Sequence, residues 1–109
     1  HINAIGAYTP QMQEIPPETV LRARVVIDHR EASLAEAGDL LIPLQQGLMT
    51  EDHIYAEVGE IAAGRKPGRA SLEEITLFKS VGVAVQDVAA ASAVLEAARR
   101  LGLGTEVAL

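Results

Sequence analysis

The chain has 109 residues, 49% of them apolar, but only one Phe, two Tyr and no Trp, so its core must be built from Ala, Val, Ile and Leu within at most one domain. No run approaches the roughly 18 consecutive apolar residues of a membrane-spanning helix, and no signal-peptide pattern is present. A net charge of −6 argues against a nucleic-acid partner, while the absence of Cys excludes disulfides and thiolate chemistry and agrees with a cytoplasmic protein.

Residues 2–5 (INAI) spell a short apolar strand closed by Gly6-Ala7, with a loop at Thr9-Pro10. Such a strand end is either a plain turn or, because α/β sheets bind ligands at the carboxyl ends of their strands, a ligand contact at residues 6–8. Residues 11–15 are polar linker. Pro16-Pro17-Glu18 then starts a short helix over residues 18–23. Residues 24–28 (RVVID) form a β-branched run that predicts a fully buried parallel strand and, with the preceding strand and helix, a right-handed βαβ unit. Past it, Asp28 beside His29 is one possible acid/base pair; the reading favoured here makes Asp28 the cap of the next helix and His29 a solvated turn residue.

Leu34, Ala37 and Leu41 give an amphipathic helix over residues 31–41, weakened by Gly38 and ended by Pro43. Thr50 as N-cap, followed by Glu51 and Asp52, starts a further helix with Ile54, Val58 and Ile61 as its stripe and Gly64 as its stop. Residues 66–69 are an exposed basic turn. Ser71-Leu72-Glu73-Glu74 has capping-box spelling but room for only one helical turn before the strand at residues 75–78 (ITLF).

That strand breaks at Lys79-Ser80-Val81-Gly82 and runs into a helix with Ala84, Val88, Ala91, Leu95 and Ala98 on one face, complemented by Arg99 and Arg100 and ended by Gly102. A final short strand is expected within residues 104–109 (GTEVAL). The corner at residues 80–82 predicts a small ledge for an anion or amide, since the first N–H groups of a helix have no intrahelical partner. The three His residues lack metal-ligand spacing, and no HExxH, GxSxG, Walker loop or GxGxxG occurs. No metal is therefore expected. The residues alone define an α/β chain with two candidate ledges.

Residues 2–16 (INAIGAYTPQMQEIP) and 75–87 (ITLFKSVGVAVQD), with the spacing between them, resemble the ornithine cyclodeaminase/mu-crystallin family of nicotinamide-dependent enzymes. The likeness runs over nearly the whole chain but matches only the C-terminal third or so of such a protein. It implies that residues 1–82 are the second half of a Rossmann-like, parallel-sheet NAD(P)-binding domain. Residues 83–109 would then be a helix and short strand returning to a largely absent substrate and dimerisation domain. Since the chain begins at His1, inside an apolar strand, a piece of a larger protein is expected. The glycine fingerprint, the acid that reads the ribose and the substrate-holding arginine and lysine would precede it.

The resemblance further implies that Ile5, Gly6, Ala7 and Tyr8 lie against the nicotinamide–ribose part of NAD or NADP, that Ser80 also contacts cofactor, and that Val81 lines the substrate site. Where the cyclodeaminases and related alanine dehydrogenases carry a catalytic aspartate, this chain has Tyr8, and where the cyclodeaminases place a lysine near the cofactor it has Met12. A phenol holds its proton at neutral pH, so it donates a hydrogen bond but is a poor base. Tyr8 is thus the candidate catalytic residue of a homodimeric reductase acting on a small imine, such as a ketimine or pyrroline-2-carboxylate, to give an amino acid. The alternatives are an ornithine cyclodeaminase and a non-catalytic binding or assembly piece of the same fold.

Overall fold

The structure, a computed structural model, describes residues 1–107. Four parallel strands form one sheet in the order β1-β4-β2-β3, where β1 is Ile2–Ala4, β2 Arg24–Ile27, β3 Ile54–Glu57 and β4 Thr76–Lys79. The strands alternate with helices α1 (Pro17–Arg22), α2 (Arg30–Glu36), α3 (Gly38–Gln45) and α4 (Val58–Ala62), and α5 (Ala84–Leu101) follows β4. The parallel α/β architecture expected from the sequence is therefore present. Its first two strands are not neighbours, however, because β4 inserts between β1 and β2.

Register fixes what the sheet presents. Ala4 and Ile27 both pair with Lys79, so β1, β4 and β2 end level with one another. In-register residues of a parallel sheet share a face, and on this one Val25, Ile27, Leu77 and Ala4 pack with Val20 of α1 and Leu40 of α3. Val25, Ile27, Leu40 and Leu77 have no exposed surface, and burying a side chain of this size stabilises by about 1.5–3 kcal/mol. The opposite face carries Arg24 and Val26, both only half-buried, so β2 is covered on one side and not on both as its unbroken apolar run suggests.

Three further expectations give way to tertiary structure. The helix expected over residues 31–41 divides at Ala37, whose ψ of 90° is non-helical. Gly38 then sits so close under residues 9–12 that an added Cβ would lie 2.7 Å from the Thr9 carbonyl oxygen and 2.9 Å from that of Pro10. The break redirects α3, and Pro43 lies buried inside it instead of ending it, leaving the Asp39 carbonyl without its usual intrahelical donor.

The second correction concerns residues 51–61. Glu51–His53 is a single 3-10 turn, Ile54–Glu57 is strand β3 and helix α4 begins only at Val58. Ile54, Val58 and Ile61 mimic helical spacing, but Ile54 and Ala56 alternate with half-buried Tyr55 and Glu57 in strand fashion. Glu57 and Glu60 form the capping box that starts α4.

Third, residues 71–74 form no helix. Their acids are drawn into the surrounding loops: Glu74 accepts from Ala70 N at 2.7 Å and pairs with Arg24 at 2.6 Å. Of the expected final strand, residues 105–107 are irregular, and the remainder lies outside the described residues. Helix α5 closes on Gly102 at φ 66° as expected, and none of its residues is buried. No helix among the described residues is long and apolar enough to cross a membrane. Gly38→Ala forces the loop at residues 9–12 away from α3, and a stability loss of about 1–3 kcal/mol is expected by chemical denaturation.

Candidate functional site

The level ends of β1 and β4 bring both sequence-derived ledges to one edge of the sheet. Ser80 N donates to the Ala4 carbonyl at 3.0 Å, so residues 5–8 and 80–82 leave the sheet side by side. At this edge Ile5 and Tyr8 are 69% and 57% exposed, and Gly6 and Gly82 are open to solvent. Ala7 and Ser80 are buried, and Val81 is half-buried against the core. All six candidate site residues therefore lie together, with Ile5, Gly6 and Tyr8 forming the accessible surface.

The amides of Gly6, Ala7, Val81 and Gly82 at this edge are occupied from within. Asp28 Oδ2 accepts from Val81 N at 2.9 Å, Gly82 N at 3.0 Å and Ser80 Oγ at 2.7 Å. Its Oδ1 accepts from His29 N at 2.7 Å and Ser33 Oγ at 3.0 Å. Gly82, at φ 86°, supplies the left-handed turn that aims its N–H at this carboxylate. Asp28 is thus not the helix cap expected from the sequence. His29 caps α2, its ring accepting from Ala32 N at 3.5 Å, while Asp28 ties the end of β2 to the corner after β4. The Val81 and Gly82 amides of that corner therefore face the protein's own carboxylate.

A second acid does the same for β1. Glu14 Oε1 accepts from Gly6 N at 2.7 Å and Ala7 N at 3.3 Å. It also lies 3.3 Å from Lys79 Nζ. Lys79 has no exposed surface, because β4 alternation turns it to the same face as Leu77. A buried ammonium needs compensation. Asp39, equally buried in the first turn of α3, supplies it from Oδ2 at 2.9 Å. This contact is an ion pair outside hydrogen-bonding angles, so Oδ2 accepts no hydrogen bond, while Oδ1 accepts from Glu14 N at 2.8 Å and Ile15 N at 2.9 Å.

Burial works against ionisation of both Asp28 and Glu14, but the donors outweigh it. Ser80, His29, Gly82 and Val81 hold the Asp28 carboxyl below its ordinary value, and Gly6, Ala7 and Lys79 do so for Glu14.

Glu14, Asp39 and Lys79 were not legible as site residues, Glu14 being read as linker and Lys79 as part of a strand break. The available signal was a lysine in phase with Leu77 on an apolar strand. Two hollows lie elsewhere. One of about 510 Å³ sits between the end of α5 and residues 102–106. Another of about 230 Å³ lies at the amino end of the sheet beside Arg24, Arg69 and Thr76. Neither contains a ledge residue. Among the described residues no group of His, Asp or Glu is arranged to hold a metal ion.

With this geometry in place, residues 1–101 match the family model described as ornithine cyclodeaminase/mu-crystallin family. The chain belongs to that family. It is 45% identical over 108 residues to a Delta(1)-pyrroline-2-carboxylate reductase of Bacillus cereus, covering 98% of this chain and 33% of that protein. A structure of the Thermococcus litoralis Delta(1)-pyrroline-2-carboxylate reductase in complex with NADH and L-proline superposes with a TM-score of 0.88 at 45% identity, over 98% of this chain and 33% of the other. An archaeal alanine dehydrogenase dimer with bound NAD gives a TM-score of 0.83 at 39% identity, over 100% of this chain and 34% of the other. The chain thus spans about a third of the length of the relatives it matches.

Two outcomes follow from the carboxylates. Lys79→Met leaves Asp39 and Glu14 without their shared cation, and a loss of about 3–5 kcal/mol of folding stability is expected in urea titrations. Because the Asp28 carboxyl is depressed in the folded state, the unfolded chain takes up its proton first as pH falls. The stabilisation is present in full above the unfolded value of about 4 and is lost as pH drops below it, through the folded value. Asp28→Asn should flatten this acid limb of melting temperature against pH.

Proposed function

We propose that the intact protein carrying this chain is an NAD(P)H-dependent reductase of a small cyclic imine carboxylate of the pyrroline-2-carboxylate or ketimine type. The observation that carries the reading is Tyr8, exposed on the ledge beside Gly6 at the carboxyl edge of the sheet, where the cyclodeaminase pattern has an aspartate. The pyrroline-2-carboxylate reductases that this chain resembles, one of them bound to NADH and L-proline, support it.

The residues at the edge suit the nicotinamide and its ribose. Ile5 and Gly6 offer a small, open, partly apolar surface to a flat ring, and the N–H groups beneath are already held by Glu14 and Asp28. Such an edge favours the uncharged end of a dinucleotide over its phosphates, which need free donors. Ile5, Gly6, Ala7, Tyr8 and Ser80 accordingly border the cofactor, with the Ser80 hydroxyl kept on Asp28, and Val81 lines the substrate side. Bound there, the reduced nicotinamide supplies hydride to the imine carbon.

Tyr8 presents its phenolic O–H to the imine nitrogen, so that reduction yields a neutral amine and not an anion. The exposed apolar surface of Ile5 keeps water from the ring's face. Residues 1–82 form part of the cofactor domain, and the chain from residue 83 leads towards a substrate and dimer domain of a cytoplasmic homodimer. Helix α5, with Val85, Val88 and Leu95 exposed, is compatible with that role.

The test is an assay of the intact protein with NADH or NADPH against pyrroline-2-carboxylate and against ornithine. Proline formed with consumption of the reduced cofactor is expected. Release of ammonia from ornithine would assign it instead to the cyclodeaminases. Tyr8→Phe should lower kcat by about 100-fold with little change in KM. An unaltered kcat would remove Tyr8 from the chemistry.

A further inference from the structure

We infer that Glu14, locked by the buried Lys79–Asp39 pair, is a positioning residue that sets the ledge on which the nicotinamide end of the cofactor rests. The inference builds on the placement of the ring given under the proposed function, and it concerns residues that touch neither cofactor nor substrate in that reading.

The geometry is a relay from the core to the edge. Lys79 cannot move, being a β4 residue with no exposed surface and hydrogen-bonded strands on both sides. Its ammonium contacts Asp39 Oδ2 at 2.9 Å and Glu14 Oε1 at 3.3 Å. Asp39 in turn fixes the backbone that carries Glu14, through its N–H at 2.8 Å and that of Ile15 at 2.9 Å. Glu14 is therefore held at both its backbone and its carboxylate. The same oxygen that meets Lys79 accepts from Gly6 N at 2.7 Å and Ala7 N at 3.3 Å.

Residues 5–8 run from the end of β1 to the loop at residues 9–12, and the Gly6 and Ala7 N–H groups both donate to Glu14. The fit is close: a Cβ added at Gly6 would lie 2.5 Å from Glu14 Oε2. A glycine at this position lets the carboxylate stand against the backbone, and an exposed turn containing glycine would otherwise sample many conformations. Charge-assisted hydrogen bonds to the two amides restrict it to one. A ligand surface preordered in this way avoids the entropy of ordering the turn on binding.

The consequence is specific to one end of the cofactor. In the intact protein, Glu14→Ala should weaken NADH binding about tenfold, the equivalent of one lost charge-assisted hydrogen bond, and lower kcat for imine reduction. Binding of ADP, which lacks the nicotinamide and its ribose, should stay unchanged. Glu14→Gln keeps an oxygen acceptor for the amides while losing the ion pair, so it should recover part of the NADH affinity and serves as the second variant where Glu14→Ala does not fold.

Equal weakening of NADH and ADP by either variant would mean a general loss of structure and overturn the positioning role, as would unchanged NADH affinity and kcat in both. Ile5→Asp separates this from the parent reading, because it places a charge on the ledge without touching Glu14. Unchanged NADH binding in Ile5→Asp would overturn the placement of the ring and the relay with it. Weakened binding in Ile5→Asp, with wild-type binding in the Glu14 variants, would overturn the relay alone.

Discussion

A single buried ammonium organises the carboxyl edge of this sheet. Lys79 lies at the end of the strand that inserts between β1 and β2, with Ile27 and Ala4 beside it in register. An uncompensated charge there would be untenable, so the chain must bring carboxylates to it from elsewhere. Asp39 comes from the first turn of α3 and Glu14 from the segment before α1, at sequence separations that no local preference could join. The break at Ala37 and the close approach allowed by Gly38 make physical sense in this light, because together they aim Asp39 inward. The energetic return of such a pair over an apolar equivalent is small; what it confers is a fixed arrangement of three chain segments around one point.

The second theme is that acids of the protein itself fill the donors at the strand ends. Glu14 takes the amides after β1, Asp28 those after β4, and Glu57 at the end of β3 accepts from Arg30 N at 2.7 Å at the start of α2. A strand-to-helix corner with free amides is a phosphate site, whereas one whose amides face an internal carboxylate repels phosphate and leaves only the shape and side chains of its surface for recognition. This distinction separates an edge suited to a ring and ribose from one suited to a pyrophosphate. It also explains why Ser80, chemically the most versatile group at the corner, has its proton committed to Asp28.

The loops at the amino end of the strands show the same economy with a different cast. Arg24 pairs with Glu74, lies over the Tyr55 ring at 4.6 Å and donates to the Gly68 carbonyl at 2.8 Å. Lys66 donates to the Tyr55 carbonyl at 2.8 Å, and Arg69 to Thr76 Oγ1 at 3.1 Å. The basic turn read as an exposed loop is a loop, yet two of its cations brace β3 and β4. Arg and Lys stems over an aromatic ring cover apolar surface that a helix would otherwise have to cover.

By itself the sequence determined those elements whose signal is local. The β-branched run became β2, Pro16-Pro17-Glu18 introduced α1, the alanine-rich segment became α5 up to its left-handed Gly102, and the wording of residues 2–16 and 75–87 was enough to mark the family. The tertiary structure alone decided the rest. Residues 54–61 satisfy a helical and a strand pattern equally, and pairing with β2 chose the strand for the first four. The strand order, the split of α2 from α3, and the meeting of Glu14, Asp28, Asp39 and Lys79 depend on contacts between residues up to 75 apart. Charges at such distances carry no periodicity to read; they become partners only when burial makes their separation too costly to sustain.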